Sequence, residues 1–134
     1  MRRRNRACRQ ARETILLVDD EEIVLDVATE MIGDLGYTVI SAETGTDAIR
    51  IFRERGDEID LIVLDMIMPD MSGSAVFEEI REIDPDAIVL LSTGYSIDDK
   101  AAQMLAQGCR GCVQKPYTLE RLSEAIRTAL SAEA

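Results

Sequence analysis

Apolar residues in this chain fall into two alternating kinds of run. Short continuous stretches near Thr14–Val18, Tyr37–Ser41, Leu61–Leu64, Ala87–Leu91 and Gly111–Val113 read as strands buried on both faces, because a half-solvated strand would alternate apolar with polar residues. Between them, apolar residues return at helical spacing. The first such segment predicts a helix from Glu21 to about Leu35, with Ile23, Val27, Met31 and Leu35 as its inward stripe and glycines at 33 and 36 near its end. The second, about Thr46 to Arg55, is stopped by Gly56 and turns Ala48, Ile49 and Phe52 inward. A third begins at Ser72 or Ser74, buries Val76, Phe77 and Ile80, and ends before Asp84-Pro85, since the residue before a proline avoids the helical region. A fourth covers about Ile97–Gln107, and a fifth Leu119–Leu130 behind Thr118 as its N-cap. Strands alternating with helices in this way predict a parallel sheet with helices on both faces.

With 134 residues there is room for one domain of ordinary size. The longest apolar runs are far too short for a membrane span. Charge is segregated: the first twelve residues hold six arginines and no acid, so removing them from the net −11 leaves −17 on the remainder. A body that acidic repels nucleic acid. The chain is therefore expected to divide into a basic, disordered arm (1–12), a domain (13–131) and a short tail (132–134). The arm lacks the apolar core of a secretory signal, and a cytoplasmic location follows by default. Three cysteines and no histidine argue against a disulfide framework or a Cys/His zinc site. Cys109 and Cys112 have CxxC spacing, but they follow a helix and enter a strand, whereas a redox pair sits at a helix N-terminus; small apolar packing is expected.

The chemistry gathers at strand ends. Asp19-Asp20 follow the first strand, Asp65 the third, Ser92-Thr93-Gly94 the fourth and Lys115-Pro116 the fifth. In open α/β sheets, ligands bind outside the carboxyl ends of the strands, so these groups are expected to converge. Three adjacent carboxylates cannot all stay ionised without a cation, and an oxygen-only donor set completed by water fits Mg2+ better than zinc. The competing reading is that the acids merely cap helices, as Asp20 would for the helix starting at Glu21. A carboxylate nucleophile, metal-binding acids, a hydroxyl and a lysine together make a phosphoryl-transfer set.

The ordered motifs Leu16-Leu17-Val18-Asp19-Asp20-Glu21, Leu64-Asp65-Met66-Ile67-Met68-Pro69 with Met71-Ser72-Gly73, Leu91-Ser92-Thr93-Gly94-Tyr95 and Gln114-Lys115-Pro116-Tyr117 resemble the response-regulator receiver domain of two-component signalling over about Glu13 to Leu130. The wording of three of them is most like receivers attached to hybrid sensor histidine kinases. The resemblance implies a flavodoxin-like, doubly wound five-stranded parallel sheet in the order 2-1-3-4-5. It further implies that Asp65 is the phosphoacceptor and that Asp19, Asp20, Asp65 and the Ile67 carbonyl hold Mg2+. Thr93 becomes the switch hydroxyl, Lys115 the phosphoryl contact, and the Lys115-Pro116 bond cis. The partners implied are a sensor histidine kinase or histidine phosphotransfer protein as donor and a downstream protein as target. The chain would be a single-domain regulator or a piece of a larger protein, a phosphoacceptor rather than a turnover enzyme. One departure matters: the family often carries an aromatic residue three positions before the lysine, where this chain has Cys112. The outward signal would then need another reporter, such as Tyr95, Ile97 or the helix that follows.

Two alternatives belong to other classes. A receiver-like interaction module that is never phosphorylated would not need the complete acid, hydroxyl and lysine set. A phosphatase with an aspartate nucleophile, of the haloacid-dehalogenase kind, places a second aspartate two residues later, where this chain has Ile67.

Overall fold

The computed structural model describes residues 13–94 and 99–131. Within them five strands alternate with five α-helices: β1 Thr14–Val18, α1 Glu22–Asp34, β2 Thr38–Ala42, α2 Gly45–Arg55, β3 Leu61–Asp65, α3 Gly73–Ile83, β4 Val89–Thr93, α4 Asp99–Ala106, β5 Cys112–Gln114 and α5 Leu119–Ser131. A single 3-10 turn, Gly56–Glu58, follows α2. All pairings are parallel and the order is β2-β1-β3-β4-β5, the doubly wound flavodoxin-like arrangement, with its switch point between β1 and β3. No helix among the described residues is long and apolar enough to cross a membrane.

The two-residue period of a strand divides the core in two. Leu16, Val18, Ile62, Leu64, Val89 and Leu91 face α2, α3 and α4, packing with Phe52, Val76, Phe77, Ile80 and Met104. Ile15, Leu17, Leu61, Val63, Leu90 and Val113 face α1 and α5, packing with Leu25, Ala28, Ile32, Leu122 and Ile126. Each such side chain, fully buried, contributes roughly 1.5–3 kcal/mol of transfer free energy, which is why the continuous apolar runs become central strands.

β1 has the bounds the apolar pattern predicts, and the other four strands end later than it predicts. β4 begins at Val89 rather than Ala87 and runs on through Ser92 and Thr93, β3 includes Asp65, and β5 includes Gln114. Ladder hydrogen bonds belong to the backbone and continue past the point where side chains turn polar. Asp65 and Thr93 are thus placed by the sheet itself.

The predicted inward stripe of α1 is corrected in part: Met31 is half-buried against the core, but the first half of the stripe is not. Leu25, Ala28 and Ile32 are buried, whereas Ile23 and Val27 are 77% and 46% exposed. Both sets recur at helical spacing, so periodicity alone could not choose between them. The sheet selected the set containing Ala28, whose small side chain lets the helix lie close. Other termini agree more closely. Ser72 caps α3 by accepting from the Ala75 N–H, and Thr118 accepts from the Arg121 N–H at the start of α5. α2 starts earlier than predicted because Thr44 is its cap, accepting from the Asp47 N–H. The arm, the tail and residues Tyr95 and Ile97 lie outside the described residues.

Candidate functional site

Register brings the polar strand ends to one edge. Val18 is paired with Leu64, so Asp19 and Asp65 leave neighbouring strands side by side; Asp65 is paired with Ser92, and Thr93 with Gln114, the residue before Lys115. Carboxylate oxygens of Asp19, Asp20 and Asp65 lie within 4.8 Å of one another. Asp19 is fully buried and Asp65 nearly so, while Asp20 is exposed. One Asp19 oxygen accepts from the Glu21 N–H at 3.0 Å, in the turn just before α1, and no side chain caps the helix itself.

Lys115 reaches back into the acids. Its Nζ lies 3.0 Å from Asp19 Oδ2 and 3.5 Å from both Asp65 Oδ1 and Glu21 Oε1. Burial alone would lower its pKa, but the hydrogen bond to Asp19 and the charges of Asp65 and Asp19 win, and the ammonium is held protonated above its ordinary range. Asp65 is pushed the other way. Burial first and the Asp19 charge second raise its pKa to about 7, against the pull of Lys115 and of the Ile67 N–H, which donates to its carboxylate. One lysine does not neutralise three carboxylates. Oxygen donors crowded this closely, one of them open to solvent, fit a hard divalent cation.

Asp20, Glu21 and Asp65 line a cleft of about 480 Å3 whose wall also includes Ile67, Thr93, Gly94 and Lys115. Thr93 is 8% exposed at the end of β4, and the Ile67 side chain is 70% exposed at the rim. The Lys115-Pro116 peptide bond is cis. A second recess, of about 510 Å3, lies between β5 and α5 and shares only Thr93 with this cleft.

The loop after Asp65 is held at two points. Gly73 donates to the Met66 carbonyl, and a Cβ on Gly73 would lie 2.6 Å from the Asp65 carbonyl oxygen, so only glycine lets α3 start against this backbone. Asp70 accepts from the Gly45 N–H, the Thr46 N–H and the Thr46 hydroxyl, and these bonds hold its carboxyl below the ordinary range. Sequence reading gave Asp70 no role, because its partners are 24 and 25 residues away and nothing local marks them. It also missed the contact between Ser92 Oγ and the Tyr117 hydroxyl, 2.6 Å apart. Burial pushes the Tyr117 pKa up to about 12, only partly offset by the Ser92 hydrogen bond.

The two cysteines among the described residues are packing residues. Cys109 is buried, which pushes its thiol up to about 12 and disfavours the reactive thiolate. Half-buried Cys112 packs against the cluster beneath α2, α3 and α4.

Residues 15–127 match the family model of the response regulator receiver domain. Among curated proteins, the chain is 34% identical over 117 residues to the sensor kinase CckA of Brucella abortus, covering 87% of this chain and 12% of that protein. It is 30% identical over 120 residues to the transcriptional regulatory protein GlrR of Escherichia coli, covering 90% and 27%, and 28% identical to the chemotaxis protein CheY of Halobacterium salinarum, covering 88% and 97%. It thus spans a small part of the first two and nearly all of the third. A receiver domain from Clostridium thermocellum superposes with a TM-score of 0.83 at 34% identity, covering 88% of this chain and 94% of that one. TrrA of Thermotoga maritima, solved in complex with Mg2+ and BeF, gives 0.78 at 31% identity, covering 88% and 99%. The chain belongs to the response regulator receiver domains, phosphoacceptor signalling modules of two-component systems rather than turnover enzymes. Its acidic cluster has the general architecture of a Mg2+-assisted aspartyl phosphorylation site.

Proposed function

We propose that Asp65 accepts a phosphoryl group from the phosphohistidine of a sensor histidine kinase or histidine phosphotransfer protein. The P–N bond of the donor breaks, a P–O bond forms to an Asp65 carboxylate oxygen, and the imidazole leaves. Asp19, Asp20, Asp65 and the Ile67 carbonyl would hold Mg2+. When bound, the metal would neutralise negative charge among the acids and the incoming phosphoryl oxygens. Lys115 and Thr93, on the wall of the same cleft, grip the phosphoryl group; Lys115 does so by exchanging part of its contact with Asp19 for the new anion. The resulting acylphosphate biases two conformations and so changes a downstream protein contact.

The observation that carries this reading is the trio of carboxylates within 4.8 Å, with a protonated lysine 3.5 Å from Asp65. TrrA, which crystallised with Mg2+ and BeF, is a relative at 31% identity, and this supports the choice of metal. The docking face for the donor would be α1, which begins just after the acids and leaves Ile23 and Val27 exposed, together with Ile67 on the cleft wall. We further assign residues 13–131 to the receiver, 1–12 to a basic arm and 132–134 to a tail, in a cytoplasmic protein. Incubation with acetyl phosphate and Mg2+, followed by intact-mass measurement, should show one added phosphoryl group that chelation of the metal prevents. Equal labelling of Asp65→Asn would end the assignment.

A further inference from the structure

We propose that Tyr117 is a positioning residue for the phosphoryl site, its hydroxyl joined to Ser92 so that the strand end bearing Thr93 and the turn bearing Lys115 move as one unit. This rests on the reading of Asp65 as phosphoacceptor. Ser92 is 1% exposed, precedes Thr93 directly and is the ladder partner of Asp65. Tyr117 stands two residues after Lys115, and its ring packs against the core beneath α1 and α5. Their side-chain oxygens are 2.6 Å apart, and the Lys115 N–H donates to the Thr93 carbonyl at 2.8 Å. Two tethers therefore cross between β4 and the end of β5, one of backbone and one of side chains, flanking both phosphoryl contacts. A hydroxyl pair withdrawn from solvent in this way holds its geometry, because breaking the bond would cost either partner its hydrogen bond.

The placement also has a direction. Cys112 packs on the face covered by α2, α3 and α4, whereas Tyr117 packs on the opposite face. The next residue, Thr118, caps α5 through the Arg121 N–H at 3.2 Å. A shift of Lys115 toward a phosphoryl group is thus passed through Tyr117 to the start of α5, on the side away from Cys112.

The test compares parent, Asp65→Asn, Ser92→Ala, Tyr117→Phe and the double variant Ser92→Ala/Tyr117→Phe. Initial acylphosphate formation from acetyl phosphate is followed by intact mass, and Mg2+ affinity is measured without donor by calorimetry. Both single variants should slow phosphorylation roughly five- to tenfold, with the double variant no slower than the slower single one, because all three break the same bond. Mg2+ affinity should stay within about twofold of parent, since the three acids are intact. Parental rates in Tyr117→Phe and Ser92→Ala, or losses that multiply in the double variant, would overturn the proposal. So would a fall in Mg2+ affinity matching the fall in rate, which would mark general loss of structure. A parent that labels no better than Asp65→Asn would instead overturn the phosphoacceptor reading.

Discussion

Asp65 is the residue at which folding and chemistry conflict. Its pKa of about 7 means that the folded, metal-free protein binds this proton more tightly than the unfolded chain, whose aspartates titrate near 3.9. Stability from this group is therefore fully present below about pH 4, falls as pH rises through about 7, and is absent above that. Asp65→Asn has no charge to bury. In a chelator, its melting temperature should exceed that of the parent at pH 8, with the gap closing toward pH 4. Melting curves across that range check this, and a parent more stable than the variant at pH 8 would contradict it. The same titration opposes metal binding, so Mg2+ affinity should weaken as pH falls below about 7.

At the scale of elements, α1 and α3 make separable contributions. α1, which begins just after Asp19 and Asp20, leaves Ile23 and Val27 in solvent although its other face is packed. Replacing both with glutamate should cost the fold little, because exposed positions rarely matter by more than about 0.5 kcal/mol. Transfer from a phosphorylated histidine phosphotransfer protein should fall at least about tenfold, as for loss of a small apolar docking patch. Labelling by acetyl phosphate, which needs no docking face, should not change. Equal loss with both donors would place these residues in the chemistry rather than in recognition. The start of α3 is more constrained. Gly73→Ala would press a methyl group onto the Asp65 carbonyl and the Met66 backbone, so a loss of about 1–3 kcal/mol is expected from urea denaturation, with slower phosphorylation. Unchanged stability would show that the loop yields freely.

For the molecule as a whole, charge and metal should stabilise by different routes. The net charge of −11 is self-repulsive, and monovalent salt should raise the melting temperature of parent and site variants alike by screening it. Mg2+ should act through the acid cluster. At a hundred times its dissociation constant it adds about 2.7 kcal/mol, roughly a 10 °C rise for a chain of this size. An Asp19→Asn/Asp20→Asn variant should keep the response to salt and lose most of the response to Mg2+, as read by calorimetric melting in each ion. An equal response to Mg2+ in this variant would show that the ion merely screens.

Apolar patterning along the chain was enough to specify the order of elements, the parallel sheet and the edge at which the chemistry gathers. Continuous apolar runs such as Leu61–Leu64 are stable only when buried on both faces, and polar residues placed directly after such runs have nowhere to go but the strand ends. The acids, Thr93 and Lys115 were legible for that reason. Which stripe of α1 faces the sheet emerged only on folding, since two apolar sets share the helical period and the chain pattern does not rank them. The tertiary structure alone paired Asp70 with the start of α2 and Ser92 with Tyr117, contacts that span 24 to 25 residues and leave no local pattern. It also set the balance of charge at the site: the burial of Asp65, added to the nearness of Asp19 that the strand ends already implied, makes Asp65 hold its proton while Lys115 keeps its own.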